Sequence, residues 1–352
     1  MTNDRRLLFF GELPPKNIHG IAYSNLINLT MLRTSFVIDI IEEDNSLSDH
    51  DKVSVTKMTR LVKRLSEVVR KSAGHKYSYF YLTFSLTAFG GLKTLSAMIC
   101  YRLFNRGKVV LHVHRGDFFT RFMLRILNRM ISKLVFSLAD EIIVLSDSQK
   151  IQFESHFKRR FSILSNTVEI EQEFILRNRH NRDFIYISNY LLDKGIVDLL
   201  EVFSKLTLQN SEITLSAYGE FPDIALKELI LSYKSDRITI NGPVQGVEKF
   251  ARIANSDCLI LPSWNEGQPI VLLEAMSVGT PVIASDTGLI SELLGTDYPF
   301  LTIPKSKISL EEKITKYTRL GNTNDISARL HETYVTFYSH LTHSVALSEI
   351  FC

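Results

Sequence analysis

Two carboxylates, Glu266 and Glu274, stand eight positions apart around the start of an apolar segment. Glu266 lies in the small, polar stretch 263–267, and Glu274 is flanked by Val271, Leu272, Leu273, Ala275 and Met276. A carboxylate inside an apolar helix either turns outward or finds a partner, because an unpaired buried charge is costly. Pro269 suits the first turn of a helix, where its missing N–H costs nothing. The free N–H groups of Gly267, Gln268 and Ile270 would open that helix and can hold an anion. Each Glu alone could simply be solvated. Together, anion donors, a loop carboxylate and a helix carboxylate suit a ligand with phosphates and several hydroxyls. A nucleotide sugar has both.

Other candidates follow the same logic. Lys194 comes soon after the apolar run 184–187 and Ser188-Asn189. Alone it reads as a solvated lysine; beside an anion site it can hold phosphate. His112 and His114 end the apolar run 108–114, with Arg115 and Gly116 next. A histidine at the carboxyl end of a sheet strand is well placed to meet a ligand, although either could be a structural residue under a loop. His19 and Gly20 follow the first strand, where glycine permits close backbone approach; a plain turn is the alternative. Asp49-His50-Asp51 fits a D-x-D metal motif, which should follow an apolar strand and face a diphosphate. It lies instead in the charged loop 42–52, so no metal and no cofactor are expected.

These residues need elements to position them. Runs 6–12, 79–84, 108–114, 140–146, 184–188, 213–219, 237–242, 258–261 and 281–284 read as strands. Segments 21–33, 57–71, 119–135 and 270–278 read as helices, the last ended by Gly279. Strand, loop, helix and strand over 258–284 is a βαβ unit, so the class is α/β. Strand 213–219 ends at Gly219, suited to the base or ribose side of a nucleotide. Over 119–135, Arg121, Arg125, Arg129 and Lys133 stand at four-residue steps, one slowly drifting stripe on a helix. That stripe is either a solvated face or an interfacial face for anionic lipid. The apolar stretch 79–100 is interrupted by Gly90, Gly91 and Lys93, which argues against a membrane span.

A length of 352 residues accommodates two domains, and 45% apolar with 22% charged residues is ordinary for a soluble globular chain. Cys100, Cys258 and Cys352 show neither metal nor disulfide spacing, which fits a cytoplasmic protein. The opening residues do not read as a secretory signal. The net charge of +3 hides an asymmetry: residues 1–180 carry 27 Lys and Arg against 17 Asp and Glu, and residues 181–352 carry 14 against 21. A basic first half points to an anionic surface or substrate. Nucleic acid is not expected, because no motif for it is present and aromatic residues do not alternate with basic ones.

The string S-x-x-E-G-x-P-x-x-x-x-E-A-M over 263–276, followed by G-x-P-V-x-A-S over 279–285, resembles the donor-site signature of family 4 glycosyltransferases. These are retaining enzymes of the GT-B fold. The resemblance implies two Rossmann-like domains facing across a cleft. The first, 1–168, would bind the acceptor, and the second, 182–330, the nucleotide sugar. The final helix, 331–352, would return to the first domain through Phe337, Tyr338, Leu341 and Leu347. It implies Glu266 on the donor-sugar hydroxyls, Glu274 on the ribose, and Lys194 on the diphosphate. Gly267, Gln268, Pro269, Ile270, Gly219 and Gly20 would line the donor. Asn189 stands where an arginine is usual, so its hydrogen bonds would replace a cationic contact. A strand-end histidine would meet the transferred sugar; His114 fits best, with His112 open and Arg115 beside it. The implied activity is metal-independent transfer to a glycan or lipid-linked acceptor in O-antigen, capsule or other surface polysaccharide synthesis, including lipopolysaccharide. The enzyme would be peripheral at the inner face of the membrane. The alternatives are a nucleotide-sugar epimerase of related fold and an inactive glycan-binding relative.

Overall fold

The computed structural model describes residues 5–17, 19–43, 55–85, 87–116, 118–119, 122–170, 179–180, 182–209 and 212–352. The chain forms two compact units, one of Met1–Thr167 with His340–Cys352 and the other of Val168–Ser339.

The first unit holds six parallel strands: β1 (Arg6–Glu12), β2 (Val37–Glu43), β3 (Tyr79–Thr83), β4 (Lys108–His112), β5 (Glu141–Val144) and β6 (Phe161–Ile163). Their order is β2-β1-β3-β4-β5-β6. Because β1 pairs with β2 on one side and β3 on the other, the chain reverses direction across the sheet between β1 and β3. Ligands of open α/β sheets bind beyond the carboxyl ends of strands at such a switch point. The alternation over 79–84 separates two cores. Tyr79 and Tyr81 join Leu7, Phe9, Leu347 and Phe351 on one face, while Phe80 and Leu82 join Leu8, Val109 and Phe136 on the other.

The second unit repeats the plan with β7 (Asp183–Ile187), β8 (Thr214–Tyr218), β9 (Ile238–Asn241), β10 (Cys258–Leu261), β11 (Val282–Ser285) and β12 (Leu301–Thr302). The order is β12-β11-β10-β7-β8-β9, so its switch point lies between β7 and β10. The central strands β7, β10 and β11, buried along almost their whole length, are near-continuous apolar runs.

The helix expected over 119–135 is broken. Phe122–Leu124 forms a single tight turn, and the helix proper is Ile126–Leu138, with Arg125 extended at its N-cap. Phe118 is buried against Phe84, Phe136 and Phe153. Met123 N donates to Phe118 O at 2.9 Å, which ties the short turn back to this buried residue. Arg125, Arg129 and Lys133 are exposed, Arg129 Nε donates to Met123 O, and Arg121 lies outside the described residues. The stripe is therefore not carried by one helix.

The chain's last helix, His340–Ile350, belongs to the first unit. Leu347 is buried there, whereas Phe337 and Leu341 are exposed and Tyr338 packs within the second unit's core. Among the described residues, no helix is long and apolar enough to cross a membrane.

Candidate functional site

In the second unit the signature residues gather at the switch point. β7 ends at Ile187 and leads through Ser188 and Asn189 to the tight turn Leu192–Lys194. Asn189 is half-buried, and its carbonyl accepts from Leu191 N at 2.8 Å, which folds this connection back. Gly195 then takes φ +70°, and a Cβ there would stand 2.1 Å from Pro262 O. Only glycine lets this turn lie against the end of β10. The close approach brings Lys194 Nζ to 2.7 Å from Glu266 Oε1. The lysine side chain keeps 26% exposure and the glutamate 11%. A cation and a carboxylate thus meet at a surface that a polar ligand can reach.

The loop after β10 is fixed from several sides. Trp264 Nε1 donates to Asp198 Oδ2 at 2.9 Å, and Leu289 N donates to Gly267 O at 3.0 Å. Gln268 is buried, Pro269 is the N-cap residue rather than part of the first turn, and Ile270 opens the helix Ile270–Ser277. Glu274 is buried in that helix and has found a partner. Lys249 Nζ, on the helix Gly246–Asn255, lies 2.7 Å from its Oε1 and 2.5 Å from its Oε2. The sequence required a partner for a buried carboxylate but did not identify it, because Lys249 is 25 residues upstream with no motif around it. Gly219 has a packing reason of its own: a Cβ would stand 2.1 Å from Ser188 O, where the ends of β8 and β7 meet.

The first unit gathers histidines beyond β1 and β4. His112 and His114 are two residues apart on an extended chain, so they share a face, and their ring centroids are 3.7 Å apart. Both are buried. His112 Nδ1 is 2.8 Å from Tyr81 Oη, while His112 Nε2 has no hydrogen-bond partner among the described residues. Burial pulls both imidazoles down, His114 to about 3 and His112 well below its ordinary value, the latter also by the neighbouring His114. At neutral pH both rings are uncharged acceptors and donors. His19 is the N-cap residue of the helix Gly20–Leu32, which Gly20 opens, and its Nε2 lies 2.7 Å from Glu12 Oε2 at the end of β1. Arg115 is exposed, and its carbonyl accepts from Gln149 Nε2 at 2.9 Å, tying the loop after β4 to the helix Asp147–Glu154. Among the described residues no group of three His, Cys, Asp or Glu side chains converges to hold a metal; Asp49 and Asp51 lie outside them.

Two parallel six-stranded sheets with interleaved helices make this the GT-B fold. The sucrose-phosphate synthase of Thermosynechococcus elongatus superposes with a TM-score of 0.74 at 15% identity, covering 99% of this chain and 98% of that one. Residues 168–329 match the family model "Glycosyl transferases group 1", so the second unit carries that domain. TuaC of Bacillus subtilis (strain 168), a glycosyltransferase whose name places it by inference in teichuronic acid biosynthesis, is 33% identical over 133 residues, 38% of this chain and 32% of that one. The N-acetyl-alpha-D-glucosaminyl L-malate synthase of Bacillus anthracis is 30% identical over 142 residues, 40% and 34% of the two chains. The chain thus spans about a third of the length of these two curated relatives.

Proposed function

We propose that the protein is a retaining glycosyltransferase of the family 4 type, moving a sugar from a nucleotide-sugar donor to a glycan or lipid-linked acceptor. The observation that carries the reading is the pairing of Lys194 with Glu266 at the switch point of a glycosyl transferases group 1 domain. Lys194 and the N–H groups that open the helix at Ile270 take the diphosphate charge, the work a divalent ion does elsewhere. Glu266 holds donor-sugar hydroxyls, and Glu274, braced by Lys249, holds the ribose. Asn189, Gln268 and the backbone near Gly219 complete the donor contacts. The uncharged His112–His114 pair, with Arg115 next in the chain and with His19 and Gly20 in the connection after β1, serves the sugar and acceptor end. The reaction needs no metal and no cofactor. The relatives' names favour a bacterial surface polymer or a glycoside of a small acid as product, and the first suits a lipid-linked acceptor.

Glu274→Gln keeps the side chain's shape and removes the charge that Lys249 and the ribose share. Nucleotide affinity should fall about 5- to 150-fold, the equivalent of about 1–3 kcal/mol. Thermal shift against UDP-, GDP- and dTDP-sugars reads this directly, because a ligand raises the melting point by mass action. The wild type should be stabilised by one base series and the variant much less. No shift with any nucleotide sugar contradicts the reading.

The membrane part rests on the exposed side of the helix Ile126–Leu138. Ile126, Leu127, Met130 and Leu134 are exposed there, interleaved with Arg129 and Lys133 and preceded by Leu124 and Arg125. Apolar side chains among cations suit an anionic lipid surface. Each basic residue contributes about 1 kcal/mol, weakened by salt. The protein should pellet with anionic vesicles at low salt and stay free of neutral ones. Replacing Arg121, Arg125, Arg129 and Lys133 with Gln should abolish pelleting; a variant that pellets like wild type makes this face merely solvated.

A further inference from the structure

A chain of buried hydrogen bonds joins the last helix to the histidine pair. His343 Nδ1 lies 2.7 Å from Ser165 O, and its Nε2 lies 2.6 Å from the Asn28 amide end placed as Oδ1. The other end, placed as Nδ2, is 2.9 Å from Tyr81 Oη, which is 2.8 Å from His112 Nδ1. Asn28, Tyr81, His112 and His343 are all buried. The links come from four separate places in the chain, and they have a direction.

Ser165 O can only accept, so His343 carries a proton on Nδ1. Burial holds the His343 imidazole down at about 4, so at neutral pH that is its only proton. Its Nε2 must then accept, which turns the Asn28 amide so that Nδ2 donates to it; the two ends of an amide exchange by a half-turn. The amide oxygen accepts from the Tyr81 hydroxyl, which burial keeps protonated. Tyr81 Oη, its hydrogen directed to Asn28, accepts from His112 Nδ1–H. Each link fixes the next, and the last one places the His112 proton on Nδ1. With the opposite sense throughout, His343 would need two protons.

We propose that His343 is a positioning residue: through Asn28 and Tyr81 it holds the proton of His112 on Nδ1 and keeps Nε2 a bare acceptor beside His114. That nitrogen is buried and has no hydrogen-bond partner among the described residues, so it can accept from a ligand hydroxyl. The value of this for catalysis rests on the proposed function, in which a sugar or acceptor hydroxyl meets the histidine pair. The tautomer itself does not depend on it.

The test is nitrogen NMR of the full chain at pH 7 with selectively labelled histidine, the His112 signals assigned by their loss in His112→Gln. Wild type should show His112 protonated on Nδ1 alone. His343→Leu cuts the chain at its far end, and Asn28→Leu cuts it one link later while leaving the Ser165 contact intact. Either variant should convert His112 to a mixture of Nδ1–H and Nε2–H. An Nε2–H ring in wild type overturns the proposal even if neither variant folds. So does a His112 tautomer unchanged in a folded variant. If the tautomers behave as expected but wild type transfers no sugar, the relay stands and the functional reading fails.

Discussion

Glu266→Gln should lower kcat by about 10²- to 10³-fold while nucleotide-sugar affinity stays within a few-fold of wild type. Breaking the bond from sugar to diphosphate develops positive charge on the ring and negative charge on the leaving group. Charge-matching groups already in place stabilise the transition state more than the ground state, and removal of one such group typically costs this much. Glu266 is almost buried and fixed by Lys194, so its charge acts in a medium that screens it poorly. The glutamine keeps the volume, and Lys194 remains to meet the diphosphate. The comparison is kcat with saturating donor against donor affinity by calorimetry. A wild-type kcat removes Glu266 from the chemistry; an equal loss in both quantities makes it a binding residue only.

Acid should destabilise the first unit steeply. His112, His114 and His343 are all buried and all held below the ordinary imidazole range by burial. In the unfolded chain each titrates near 6.5. The unfolded state therefore binds more protons below that pH. The stability these rings allow is present above about 6.5 and is lost as pH falls toward the folded values of about 3 for His114 and about 4 for His343. With all three taking part, the loss approaches about 4 kcal/mol per pH unit near pH 5, against a total stability on the order of 5–15 kcal/mol for a native protein. Denaturant unfolding followed at pH 7, 6 and 5 measures the slope. His114→Gln should remove about a third of it. A stability flat from pH 7 to 5 contradicts the burial of neutral histidines.

Much of the frame was legible because a parallel sheet buries both faces of each strand, and the sequence answers with runs such as Cys258–Leu261 and Val282–Ser285. The loop and helix between those strands were legible for a local reason: Gly267, Pro269 and Gly279 punctuate them. What could not be read is what depends on distant partners. Phe118 turns inward among four rings from distant positions, and the helix that local periodicity predicts as continuous over 119–135 begins only at Ile126. Lys249 reaches Glu274 from another helix. The choice between His112 and His114 was open because period-two geometry puts both on one face; the structure sets their rings side by side at a tilt and assigns the tyrosine contact to His112. The link from His343 to Asn28 crosses 315 positions of sequence, a distance at which pattern carries no signal.

The proposed chemistry is transfer with retention and without metal. Incubation with the nucleotide sugar that gives the largest thermal shift, a simple glycoside acceptor and excess EDTA, followed by proton NMR of the product, tests it most directly. A new glycosidic bond with the donor's anomeric configuration should form, at the same rate with and without EDTA. A product of opposite configuration, activity that disappears on chelation and returns with Mn²⁺, or epimerised donor with no transfer would contradict that chemistry.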